Sequence, residues 1–175
     1  MKQQIDAFDY AGHICKAMKT GILLTTKAGE QVNTMTIGWG KIGIEWNRPV
    51  FIAYVRETRY TKQLLEENGE FTVNIPYGEF DSKILGYCGR MSGRDTDKIR
   101  DLGLALVDSD VVQVPGIAQL PLTLECKIIY KQQQDLTKMP QAVLDRFYPV
   151  VDETGFRDYH IAYYGEIVNA YLIQE

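Results

Sequence analysis

Three short segments gather the residue types that hold an anionic, planar ligand. The first is Asn33-Thr34-Met35-Thr36-Ile37-Gly38-Trp39-Gly40. Polar residues and glycine stand where the pattern calls for a strand, and glycine in a strand marks a bulge or a close approach of another group to the backbone. A planar ligand lying along the strand edge uses that bare backbone; an edge strand with a bulge uses it equally well. The second segment, Val55 to Lys62, follows an apolar strand and opens a helix, whose first N–H groups and dipole favour an anion. Arg56, Arg59 and Lys62 crowd that turn against the dipole. A bound anion resolves the conflict, and so does a solvated turn offset by Glu57, Glu66 and Glu67. Thr58 or Thr61 is placed to cap the helix. The third segment is Cys88-Gly89-Arg90-Met91-Ser92-Gly93-Arg94-Asp95-Thr96-Asp97-Lys98. Its glycines free the backbone, Ser92 and Thr96 offer hydroxyls, and Asp95 is placed to cap the helix that follows. The same charges suit a structural loop, and the spacing is not that of a Walker phosphate loop.

Other chemistry has few carriers. With only two histidines, His13 and His160, no zinc-ligand spacing exists. Cys15, Cys88 and Cys126 are odd in number and form no CxxC pair, which favours a reduced compartment and a cytoplasmic location. Cys126 reads as core. Cys88 lies where a ligand can touch it, without the Cys/His/Asp arrangement of a nucleophile. His13 reads as structural. His160, beside Asp158 and Tyr159, suits either a ligand-orienting role or a capped surface position. No catalytic residue is assigned.

The elements that must position these segments form one unit over residues 1–175. The chain is 45% apolar and 24% charged, an ordinary globular composition, and its net charge of −4 argues against a nucleic-acid binder. No apolar run approaches the roughly 20 residues of a membrane span, and the first ten residues lack a signal-peptide core. Periodicity predicts a helix over Asp9–Lys19, strands over Ile22–Thr26, Val32–Trp39, Ile42–Trp46 and Pro49–Val55, then a helix over Tyr60–Asn68 closed by Gly69. A strand over Phe71–Ile75 follows. Short helices over Phe80–Tyr87 and Thr96–Leu102 flank a glycine-rich loop. Leu120–Ile128 reads as a strand, Pro140–Phe147 as a helix and Tyr159–Ile173 as a long closing strand. About seven strands with short inserted helices predict a mainly β protein, an antiparallel barrel rather than a doubly wound sheet. The closing strand carries Ile161, Tyr163, Ile167 and Tyr171 on one face, and Ala162, Tyr164, Val168, Ala170 and Leu172 on the other. Two apolar faces require covering helices or a second subunit.

At these segments the chain resembles the flavin reductase-like family, in particular its flavoredoxin-like branch. The matching pieces are Asn33 to Trp39, Arg56 to Thr61, Phe71-Thr72-Val73-Asn74-Ile75-Pro76, Cys88 to Lys98, and Tyr164-Gly165-Glu166-Ile167-Val168. They occur in family order and span nearly the whole chain. The resemblance implies a split antiparallel β-barrel of the FMN-binding type and a homodimer with both flavins near the interface. It implies that Asn33, Thr34, Met35, Thr36 and Trp39 lie along the isoalloxazine. By the same likeness Arg56, Thr58, Arg59, Tyr60 and Thr61 surround the phosphate and ribityl chain, and Cys88, Gly89 and Ser92 close the site. Asn74 enters the implied site through its own matching piece. Many members pass electrons from NADH or NADPH to flavin, and others have no clear reductase activity. An electron carrier without nicotinamide activity and a flavin-free ligand-sensing dimer are therefore the competing readings. The resemblance carries no residue role over to residues 132–154.

Overall fold

The computed structural model describes residues 1–174. Ten strands and five helices run in the order β1 (Lys2–Gln4), α1 (Ala11–Ala17), β2 (Ile22–Ala28), β3 (Gln31–Ile37), β4 (Gly40–Glu45), β5 (Arg48–Arg56), α2 (Tyr60–Asn68), β6 (Glu70–Ile75), α3 (Lys83–Arg90), α4 (Lys98–Asp101), β7 (Leu106–Val107), β8 (Gly116–Ile117), β9 (Leu122–Gln133), α5 (Gln141–Phe147) and β10 (His160–Ile173). The main sheet is antiparallel, in the order β3-β2-β6-β9-β10-β5-β4, and β1 adds to β10. The two end strands, β3 and β4, are adjacent in sequence and joined only by Gly38-Trp39. They share no ladder among the described residues. The sheet therefore curls until its ends meet at that link and stays open there, which makes it a split barrel.

The inner face is filled by Ile22, Leu24, Phe51, Val55, Phe71, Val73, Leu122, Leu124 and Tyr163. A second cluster lies outside the sheet, where Ile84, Leu85 and Cys88 of α3 pack with Leu23, Leu104, Ile117 and Leu120. Helix α2 spans the predicted residues and ends at Gly69, which adopts φ +75° and donates its N–H to the Leu65 carbonyl. A left-handed C-terminal residue is cheapest as glycine.

Several expectations are corrected. Helix α3 starts three residues late, because the Asp81 carboxylate accepts the Lys83 N–H at 2.9 Å and turns the chain there. It then runs through Arg90, so Cys88 and Gly89 stand on a helix rather than in a loop. Asp97, not Asp95, caps α4, accepting the Arg100 N–H at 3.1 Å. Neither threonine caps α2: Arg59 holds the cap position, and Thr58 turns its hydroxyl to Asp158. Strand β9 runs on to Gln133, its polar end paired with β10.

The closing strand holds the largest correction. Its ladder with β9 is broken by two bulges, at Ile129 of β9 and at Val168 of β10. One extra residue exchanges the two faces of everything beyond it. Ala170 therefore joins Ile161, Tyr163 and Ile167 in the inner core, while Tyr171 is buried outside that cluster. Along its far end β10 pairs with β1 on the edge that β5 leaves free.

Candidate functional site

The split in the barrel opens a cleft. Strand β3 forms one wall, the start of α2 a second, and the turn from α3 to α4 a third. One cavity, of about 210 Å³, is lined by Asn33, Met35, Thr58, Arg59, Tyr60, Thr61, Cys88, Gly89, Met91, Ser92, Gly93, Arg94 and Lys98. Asn33 donates its amide to the Thr61 hydroxyl at 2.9 Å, tying β3 to the first turn of α2. A side chain at Gly93 would strike the Asn33 amide and the Tyr60 ring, so only glycine lets this turn lie so close. Gly89 brings α3 against Thr36, whose hydroxyl donates to the Leu85 carbonyl at 2.6 Å.

The charges of this cavity are one-sided. Arg94 donates to the Thr58 carbonyl at 3.0 Å and lies over the Tyr60 ring. Lys98 is only 4% exposed, yet its ammonium has just the Met91 carbonyl at 3.2 Å. Burial pushes its pKa down, with Arg59 a lesser cause in the same direction. Arg59 points no side-chain bond at any described residue. No Asp or Glu lines the cavity, and none of the ion pairs among the described residues involves Arg59, Arg94 or Lys98. Three cations converge here with no counter-charge, beside first-turn N–H groups that a helix leaves free. Physics offers two remedies for a buried unpaired ammonium, neutralisation or a bound anion.

A second cavity, of about 190 Å³, shares Met35 and Arg59 with the first and continues along the split past Thr36, Ile37, Gly38 and Trp39 to Tyr54, Arg56 and His160. One of its two arginines is committed to shape. Arg56 donates to the carbonyls of Asp158 at 2.5 Å and Phe147 at 2.9 Å, and lies over the Tyr148 ring.

A family model described as "Flavin reductase like domain" matches residues 16–175. This chain belongs to the flavin reductase-like family. An uncharacterized protein of Archaeoglobus fulgidus is 33% identical over 100 residues, 57% of this chain and 55% of that one. The chain thus spans little more than half the length of the curated relatives it matches. Flavoredoxin of Desulfovibrio vulgaris (Miyazaki F) superposes with a TM-score of 0.66 at 23% identity, over 88% of this chain and 69% of that one. An NADH:FAD oxidoreductase of Streptomyces globisporus superposes with a TM-score of 0.63 at 16% identity, over 98% of this chain and 87% of that one. Both likenesses show the fold.

In this family member the cleft collects most of the residues singled out in the sequence. Asn33, Met35, Thr58, Arg59, Tyr60, Thr61, Cys88, Gly89 and Ser92 line the first cavity, and Met35, Thr36, Trp39, Arg56 and Arg59 the second. Thr34 and Asn74 line neither. The Thr34 hydroxyl donates to the Leu24 carbonyl, and fully buried Asn74 accepts the Ile117 N–H at 2.8 Å and donates to Thr25 at 2.9 Å. The cleft also recruits Lys98, Arg94 and Gly93, whose only sequence signal was their place in the third segment, and Tyr54, which gave none.

Burial raises the Cys88 thiol to about 11, so it stays protonated and is no nucleophile. His160 is buried, not capped at the surface. Its Nδ1 lies 2.8 Å from the Tyr148 hydroxyl, which donates to the side-chain amide oxygen Oε1 of Gln134, also at 2.8 Å. The phenol's single hydrogen is thereby used, so the network assigns the proton to Nδ1 and leaves Nε2 as an acceptor. Burial foremost, then Arg56, lowers the His160 pKa from 6.5 to about 4. The unfolded chain therefore takes up this proton at higher pH than the folded one. The stability tied to neutral His160 is complete above pH 6.5 and is lost as pH falls towards 4. Urea titrations at pH 7.5 and pH 4 should show the wild type losing about 2–3 kcal/mol more than His160→Gln. Equal losses would show that His160 titrates normally.

Proposed function

We propose that the chain is an FMN-binding domain, residues 1–175, that holds one flavin per subunit without a covalent bond. The observation that carries this reading is the set of three unpaired cations, Arg59, Arg94 and Lys98, around one cavity free of carboxylates. A dianionic phosphate answers that charge. Arg59, the amides at the start of α2, Ser92, Arg94 and Lys98 would hold the phosphate, while Asn33, Met35, Thr36 and Trp39 would face the ring system. When bound, flavin supplies the hydride and electron chemistry. The residues of this chain bind, orient and shield, and neutral His160 offers Nε2 as an acceptor at the far end of the cleft.

Electrons would pass from NADH or NADPH to flavin or a small acceptor. A carrier without nicotinamide activity is the second reading, supported by the likeness to flavoredoxin. Yellow protein that releases FMN on denaturation supports flavin binding; release of FAD, or none, overturns it. Anaerobic mixing with NADH and NADPH then separates the readings: bleaching marks a reductase, and a flavin bleached only by dithionite marks a carrier. The free thiols Cys15, Cys88 and Cys126 suit a reducing, cytoplasmic setting.

The same reading makes the protein a homodimer. Ile44 and Trp46 are 71% and 60% exposed, and Trp46, Tyr130 and Tyr164 form an edge-to-face aromatic run over the neighbouring strands. Such a patch on a small protein marks an interface. Sedimentation should give twice the 20.0 kDa of one chain, and Tyr164→Lys should shift it to monomer. A wild-type monomer that holds FMN would end the dimer reading.

A further inference from the structure

Trp39 separates the cleft from a third, larger cavity of about 510 Å³, which shares Gly38, Trp39 and Tyr54 with it. This volume lies between α1 and the Tyr148 end of the 134–159 excursion. Its walls are aromatic: Trp39, Tyr54 and Tyr148. Trp39 keeps 42% of its surface exposed although it packs edge-on to Phe147 and tilts against the His160 ring. Lys19, Lys41 and Gln134 bring donors to the cavity. Lys19 and Lys41 stand at its rim, with the Lys41 ammonium 5.8 Å from the centre of the Tyr54 ring. Neither lysine takes part in an ion pair among the described residues. The Gln134 amide spends its oxygen on Tyr148, which leaves its NH₂ without a partner among the described residues. No Asp or Glu lines the volume.

We infer that this cavity is a binding subsite for a small planar aromatic anion, of the aryl carboxylate class, seated beside the flavin cleft. Flat aromatic walls select a ring by stacking. Two lysines and an amide NH₂ select a carboxylate over an uncharged group of the same shape. A cavity of this size, mostly apolar with a few donors at its edge, has the make-up of a small-molecule site. Trp39 would form a wall of both spaces, so ligand in one is felt in the other.

This inference rests on the flavin reading only for what fills the neighbouring cleft. The test is calorimetric titration of the protein as purified, loaded with FMN where it takes FMN up, with benzoate and with the isosteric neutral benzamide. Benzoate should bind about tenfold or more tightly than benzamide, the difference weakening with salt. Lys19→Gln combined with Lys41→Gln should abolish that preference and leave FMN affinity unchanged. Both lysines are exposed, so the variant keeps its fold, checked by circular dichroism. Equal binding of the two probes, no binding of either, or a preference that survives the double variant would overturn the inference. Displacement of benzoate by stoichiometric NADH would assign the cavity to the electron donor and also overturn it. If no FMN is taken up, the flavin reading fails while the two probes still report on this cavity.

Discussion

Arg59→Ala should weaken FMN binding by about 1.5–3 kcal/mol, or roughly 10- to 150-fold, while riboflavin binding hardly changes. Arg59 lines the first cavity, stands at the start of α2 and has no ion-pair partner, so its charge is available to a phosphate. Lys98→Met should act in the same direction by a different route. Lys98 lies buried in the same cavity with a single carbonyl for a partner, which is a costly state for an ammonium without its anion. Methionine fills the same space without the charge. The flavin-free variant should therefore melt at a higher temperature than the wild type, yet bind FMN more weakly. That opposition, stability gained and affinity lost, is what a residue held for its ligand shows and what a merely structural lysine does not. Titrating both variants with FMN and riboflavin decides the matter. Equal losses for the two ligands would show that neither side chain senses the phosphate.

The difference between these two residues also measures how far the sequence could be read. Arg59 stood out because three basic residues crowd a helix start, a conflict visible in local order alone. Lys98 did not, because what surrounds it is brought there by the fold: β3 packs against α4, and the start of α2 closes the same cavity. Local periodicity carried the helix over Tyr60–Asn68 and the core strands, where alternation and β-branching agree. It misplaced the Cys88-Gly89 pair, since a helix whose last turn holds glycine looks like a loop. It could not show the bulges at Ile129 and Val168, which are properties of a strand pair and leave no mark on either strand. Asn74 reads like a site residue for the same reason that it is a core one. An amide on an apolar strand needs partners, and here Thr25, Thr72 and the Ile117 N–H supply them instead of a ligand. The cleft itself follows from topology: the strands joined by Gly38-Trp39 end the sheet on both sides, and the gap between them leaves backbone unpaired.

Glu125→Ala should cost about 3–5 kcal/mol of stability, the range for breaking a buried, fully bonded charged group. Glu125 is fully buried on β9, and its carboxylate accepts the backbone N–H groups of Asp110, Val111 and Val112 at 2.7–3.0 Å. A fourth bond, from the Asn169 amide at 2.9 Å, fastens it to β10 just beyond the Val168 bulge. One side chain thus anchors the loop before β8 to the two central strands. Alanine leaves those N–H groups without an acceptor and opens a void beside the buried Val112. Glutamine keeps the volume and one acceptor oxygen but turns an NH₂ towards N–H donors, so Glu125→Gln should cost less, about 1–3 kcal/mol. The loop leads into Ile117 of β8, which packs with Leu85 and Cys88 of α3, so loosening it loosens the third wall of the cleft. FMN and riboflavin should then lose affinity together, since the damage falls on the wall and not on the phosphate cations. Urea unfolding of the two variants, followed by the same paired titration, checks both halves. Stability of the alanine variant within about 1 kcal/mol of the wild type would mean that the loop finds other acceptors. A selective loss of FMN would mean that Glu125 acts on the phosphate end of the site after all.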